Sequence, residues 1–364
     1  MTRFGFRRYA LTSCVAAALL AGCGGSQPPG AMPATSPGNE SGLTALSASR
    51  LISLTIPHYV ARPVHRPTKT WMSPGAKSMK RLLYISDAET SSVFVYDYSS
   101  GKEVGDLTTD IDGPYGQCVD KKGDVYISSF ASSETVEYAH GGSAPIAEFS
   151  SSGGYPVGCA VDRQGDLAVA NLYSASGLAT LFVWIHGEGT PTEYQDNDCL
   201  NMYPPGYDDN GNVIVECVYN PNSYNISVVC ALLKDATSMT TLSFNQSIGF
   251  ASGTMWDGKY IALGDQDHDI MGETAIYQAS LSGSTLTLEG TTVLEATCGD
   301  DVVQPFIVGE KNTPINKKQG KVLIGASRDC IDTIPFWHYP ASGDPFKTTT
   351  GPSLPDGQSV SIAE

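Results

Sequence analysis

LLYISDAETSSVFVYD, residues 82–97, reads as two short apolar strands around a polar turn, and the phrase recurs. It returns as GDVYISSFASSETVEYA at 123–139 and as GDLAVANLYSASGLATLFVW at 165–184. Shorter copies follow as GNVIVECVY at 211–219, GKYIALGDQ at 258–266 and GKVLIGAS at 320–327. Tyr84, Tyr126, Ala168, Ile214, Ile261 and Leu323 share one strand position, at intervals of 42, 42, 46, 47 and 62 residues. A period of about 40–45 residues is the mark of a blade repeat. Short alternating apolar runs separated by Gly, Asp, Asn and Ser dominate, with no sustained helical period. Six copies predict an all-β, six-bladed β-propeller over 80–364.

Asp120, Asp162 and Asp208 each stand three residues before a glycine of the repeat, Gly123, Gly165 and Gly211. A carboxylate there accepts nearby backbone N–H groups, and glycine allows the positive φ that the turn needs. These acids are read as structural.

GQCVDKKGDVYISSF at 116–130 and GCAVDRQGDLAVANL at 158–172 resemble NHL-type repeats. The resemblance is good over 82–184 and faint over 200–345. It implies a propeller of the NHL or TolB kind, and that superfold hosts enzymes, receptors and scaffolds alike. The first copy lacks an inner strand of its own. GQSVSIA at 357–363 begins like GQCVDKK, so the C-terminal segment is expected to pair beside Leu83–Ser86 and close the ring.

The N-terminal end reads as an address. Arg3, Arg7 and Arg8 precede an apolar run from Ala10 to Ala21 that is too short to span a bilayer. It ends Leu20-Ala21-Gly22-Cys23, which resembles a bacterial lipobox and implies cleavage after residue 22 and lipidation of Cys23. An ordinary secretory signal is the alternative, and both export the chain. Residues 23–47 carry the composition of a flexible tether. Residues 48–79 form a basic, proline-broken arm.

Residues 1–81 hold ten Lys or Arg and one acid, whereas the remaining residues hold twelve and 37, a net −25. Such a body repels nucleic acid, which needs a cationic footprint. The arm has two acceptors open to it, anionic headgroups or the acidic body itself.

Seven cysteines follow Cys23. Cys199 precedes an inner strand and Cys217 ends the next strand, and Cys298 and Cys330 hold the equivalent places, so the expected disulfides are Cys199–Cys217 and Cys298–Cys330. Cys118 and Cys159 fall on adjacent inner strands and either pair or pack. Cys230 reads as a buried thiol. No spacing resembles a zinc site.

The topology gathers second-strand ends and inner-strand starts around one mouth. It assigns a ligand-binding face to Asp87, Tyr115, Tyr155, Asn171, Tyr173, Asp265, Asp267, His268 and Arg328. Tyrosine's flat apolar body and polar tip suit peptide or sugar contact. Asp265, Asp267 and Asp269 alternate in a way that can wrap Ca²⁺, or they form a solvated acidic loop without the glycine and distal glutamate of an EF-hand. No catalytic residue is assigned. Gluconolactonase-like propellers place a divalent metal in the channel with Glu, Asn and Asp, and only Asn171 fits that pattern loosely. A lyase-like reading needs a mouth histidine, and His268 alone stands there.

These features predict an exported, lipid-anchored propeller that binds or scaffolds an envelope protein, peptide or glycan. The alternatives are a metal-dependent hydrolase, lactonase or lyase in the same mouth, and a purely structural envelope lipoprotein.

Overall fold

The computed structural model describes residues 69–219, 226–268, 273–295, 302–309, 320–327 and 333–363, all within the compact unit Leu43–Glu364. These residues form strands throughout, with short 3-10 turns at Ala76–Ser78 and Ile185–Gly187. The architecture is all-β, a propeller-like arrangement of small sheets.

Hydrogen bonding sorts the strands into four sheets of blade size and a fifth of nine strands, rather than the six separate sheets expected. The first sheet runs Trp71–Met72, Glu103–Leu107, Ser92–Asp97, Arg81–Asp87 and Pro355–Ile362. The last pairing is antiparallel and extends from Arg81↔Ile362 to Asp87↔Pro355. The second sheet begins with Pro114–Val119, the third with Pro156–Val161 and the last with Val302–Gly309, each a four-stranded antiparallel meander. The nine-stranded sheet arises because Thr285–Leu294, ten residues long, meets Thr240–Phe244 at two parallel pairs, Ser243↔Thr285 and Phe244↔Leu286.

Side-chain alternation explains how the sheets stack. In Arg81–Asp87, Leu82 and Tyr84 pack against Val125 and Ile127 of the second sheet. Leu83 and Ile85 point the other way, onto Ile324 and Phe336 of the last sheet. The second sheet repeats the device, turning Tyr126 toward Leu167 and Val169 of the third. Ala168 and Leu181 of the third meet Val213 and Val215 of the nine-stranded sheet. Within that sheet, Ile214 and Val229 face Leu263 and Tyr277. Ala262 and Ile276 then meet Leu323 and Trp337 of the last sheet. Each such large apolar side chain contributes about 1.5–3 kcal/mol on burial.

The repeat's turns form as their chemistry dictates. Asp120 Oδ1 accepts from the N–H groups of Lys122 and Asp124. Asp162 Oδ1 accepts from Gln164, Gly165 and Asp166, and Asp208 Oδ1 from Asn210 and Asn212. Gly165 sits at φ +95°, a conformation that L side chains rarely adopt.

Candidate functional site

The innermost strands meet at a common axis, and small residues set how closely. A Cβ on Gly357 would lie 2.8 Å from Gly116 Cα, and one on Gly116 would lie 3.0 Å from Gly158 Cα. A Cβ on Gly158 would strike Pro204 at 2.6 Å, and one on Gly253 would touch Pro204 and Gln304. Backbones approach where side chains are missing, and Gln304 fills the space left over.

Gln304 also bonds across the axis. Its Oε1 accepts from Gln117 N at 2.9 Å, and its Nε2 donates to Gln117 O at 2.8 Å. Gln117 Nε2 donates to Ser86 Oγ, and Ser359 Oγ donates to Gln117 Oε1. Gln358 Nε2 donates to the backbone oxygens of Gln304 and Ile324, while its Oε1 accepts from Ala326 N. The amides that converge here are buried and bonded to backbone or serine, so they form a strut across the axis.

At the starts of the inner strands lies a cluster of four half-buried rings. Phe130 is its hub, with centroids 6.1 Å from Tyr115, 5.1 Å from Tyr155 and 6.4 Å from Tyr173. Tyr155 and Tyr173 stand 4.4 Å apart. Burial first, and the neighbouring Tyr155 second, push the Tyr173 phenol up to about 12, so it stays a neutral hydrogen-bonding group at physiological pH. Three of the four rings were predicted for the mouth. Phe130 was missed, although it ends the second copy where Leu172 and Tyr173 end the third.

Two of the predicted acids hold loops. Asp87 is fully buried and accepts from the N–H groups of Glu89, Thr90 and Ser353, pinning two loops. Asp265, also buried, accepts from Gly249 N, Phe250 N, Asp267 N and Tyr277 Oη. Tyr277 Oη lies 2.9 Å from His268 Nδ1, so His268 is tied to Asp265 through a phenol. Asp267 is exposed. Asp265 thus spends its oxygens on loop N–H groups and a phenol, and Asp269, the third acid of the Ca²⁺ reading, lies outside the described residues. Among the described residues no group of three His, Cys, Asp or Glu side chains is placed to hold a metal ion. Asn171 is buried, with Nδ2 donating to Thr180 Oγ1. Cys23, Asp269, Cys298, Arg328 and Cys330 lie outside the described residues.

Glu216 escaped sequence reasoning because it sits within an apolar strand, VIVECVY. It is fully buried, with Oε2 accepting from Ser252 N at 2.7 Å and Oε1 without a partner. Burial, only partly opposed by the Ser252 N–H, pushes its carboxyl up to about 8.

The expected Cys199–Cys217 disulfide is absent: both are buried thiols, as is Cys230. Cys199 lies opposite Tyr219 and Cys217 opposite Met202, which makes the two diagonal rather than directly facing. Cys217 is within hydrogen-bonding reach of both other thiols, and burial drives it well above the usual thiol range. Among the described residues the disulfide that forms is Cys118–Cys159, with Cα atoms 5.5 Å apart across neighbouring inner strands.

No protein-family model matches the chain, and no curated protein matches it. Solved structures do. A chain from a nidogen/laminin complex is 12% identical over 78% of this chain and 99% of its own, with a TM-score of 0.57. A protein of unknown function from Bacteroides caccae is 10% identical over 78% of this chain and all of its own, with a TM-score of 0.56. These likenesses define the class as all-β and propeller-like. At such identities they speak for the fold alone.

Proposed function

We propose that the chain is an exported, lipid-anchored, six-bladed β-propeller that binds an envelope protein, peptide or glycan through its aromatic mouth. The carrying observation is the half-buried ring cluster of Tyr115, Phe130, Tyr155 and Tyr173. Rigid rings supply contact area at low entropic cost, and phenolic tips add directional hydrogen bonds. One of the similar structures was itself solved in a protein complex, nidogen/laminin.

Three features support the blade count. The nine-stranded sheet is joined by only two parallel pairs, while its two halves pack face to face through Ile214, Val229, Leu263 and Tyr277. It is therefore counted as two blades. The pairing of Pro355–Ile362 with Arg81–Asp87, and the packing of Ile324 and Phe336 on Leu83 and Ile85, are what ring closure by the C-terminal strand requires. Gly357, Gly116, Gly158, Pro204, Gly253 and Gln304 then supply one axial position per blade.

Export rests on the lipobox-like Leu20-Ala21-Gly22-Cys23, and the Cys118–Cys159 disulfide suits an oxidising compartment. Fractionation with and without Cys23→Ser tests the anchor, which predicts loss of membrane association in the variant. Glycan and peptide arrays probed with the wild-type chain and with Tyr155→Ser and Tyr173→Ser test the mouth. A ligand bound by wild type and weakened about tenfold or more by either change supports the reading. Unchanged binding by both variants overturns it.

A further inference from the structure

The inner strands end, on the side away from the aromatic mouth, around a cavity of about 220 Å³. Three rings line it from three different strands: Tyr207 in Gly206–Tyr207, Trp256 in Ala251–Trp256 and Phe306 in Val302–Gly309. All three are half-buried. Ring pairs elsewhere in the described residues involve other aromatics, so none of these three faces is taken up by another described ring. The described lysines and arginines that lie over rings cover Tyr98, Tyr260, Phe336 and Tyr339 instead.

The charged groups around the cavity lean one way. Asp162, Asp208 and Asp209 stand against Arg163 alone. Asp162 and Asp208 are fixed by their turns, whereas Asp209 is exposed at the rim. A second depression of about 400 Å³ shares Asp162, Arg163, Tyr207, Asp208 and Asp209 and adds Asp166 and Asp235 against Lys234.

We propose that this cavity binds a small organic cation of the quaternary ammonium class, such as choline. An alkylated ammonium has no N–H to satisfy and gives up water easily, so aromatic rings in the cavity wall suffice to hold it. Net negative charge at the rim draws the cation in. A cavity near 150 Å³ takes a benzene ring, so about 220 Å³ takes a trimethylammonium group with a short tail. The site is independent of the mouth, and its failure leaves the mouth reading untouched.

The purified full chain is titrated with choline and with its neutral isostere 3,3-dimethylbutan-1-ol, by calorimetry and by the Trp256 indole N–H resonance, assigned through Trp256→Phe. Choline is expected to bind about tenfold tighter than the isostere and to shift that resonance. Equal binding of choline and the isostere overturns the cation site, as does an unmoved Trp256 resonance at millimolar choline. The isostere comparison uses wild-type protein, so it stands even where a variant folds poorly.

Discussion

Replacing Gln304 with alanine removes the side chain that fills the space between Gly357, Gly116 and Gly253 at the axis. Gln117 then loses partners for both its N–H, bonded at 2.9 Å, and its C=O, bonded at 2.8 Å. Each orphaned buried group costs about 1–3 kcal/mol. The vacated space adds a cavity penalty, unless a water enters and bridges the two groups. The expected loss is about 3–5 kcal/mol dry, or about 1–2 kcal/mol if a water takes the amide's place. At about 2–4 °C per kcal/mol for a domain somewhat smaller than this one, Tm falls by several degrees even in the wet case. Urea unfolding reads the same loss as a lower midpoint at unchanged slope. Gln304→Met separates volume from bonding, because it fills the space and bonds nothing. If the strut stabilises through its hydrogen bonds, the methionine variant is also destabilised by at least about 1 kcal/mol. An alanine variant within about 0.5 kcal/mol of wild type, or a methionine variant as stable as wild type, refutes the reasoning.

Glu216 sets a pH dependence of the opposite sense to a salt-bridged acid. Its folded pKa, about 8, lies above the ordinary 4.5, so the folded state binds the extra proton between those values. Stability is full below about pH 4.5, falls as pH rises toward 8, and levels off above. Asp106, pushed up to about 6 by burial, acts in the same sense over a lower window. Glu216→Gln is expected to flatten the curve and gain on the order of a few kcal/mol at pH 8, read by denaturant midpoints across pH; a variant with the wild-type slope would sink the assignment. For the cysteines, mass spectrometry without reductant is expected to find Cys118 joined to Cys159, and to find Cys199, Cys217 and Cys230 alkylated only after denaturation. A Cys199–Cys217 or Cys217–Cys230 linkage would show that the buried thiols rearrange to pair.

Local chemistry was legible in the residues. The alternation in LLYIS already contains the two-sided packing of its strand, because successive side chains in a strand point to opposite faces. Asp-x-x-Gly contains its own turn, since donor and acceptor lie within four residues. Tyr115, Tyr155 and Tyr173 were placed together by the repeat, because inner-strand starts and second-strand ends of successive units land at the same end of their sheets.

What depends on register and on distant partners was not legible. Phe130 is an ordinary strand-end residue until three tyrosines from neighbouring units surround it. Cys199 and Cys217 read as close enough to pair, but Cys199 lies opposite Tyr219, two residues beyond Cys217. Asp265 looks like a metal ligand beside Asp267, and only the loop at 249–250 reveals where its oxygens go.

By itself, then, the sequence determined the strand content, the turns and the all-β class, through period-two alternation and contacts made within a few residues. Only the tertiary structure decided what the axis and its two ends are made of. Gln304 and Gln117 are 187 positions apart, and Tyr207, Trp256 and Phe306 share no motif. Their meeting depends on how far each sheet turns against the next, a property of the summed side-chain packing between sheets rather than of any one stretch of chain.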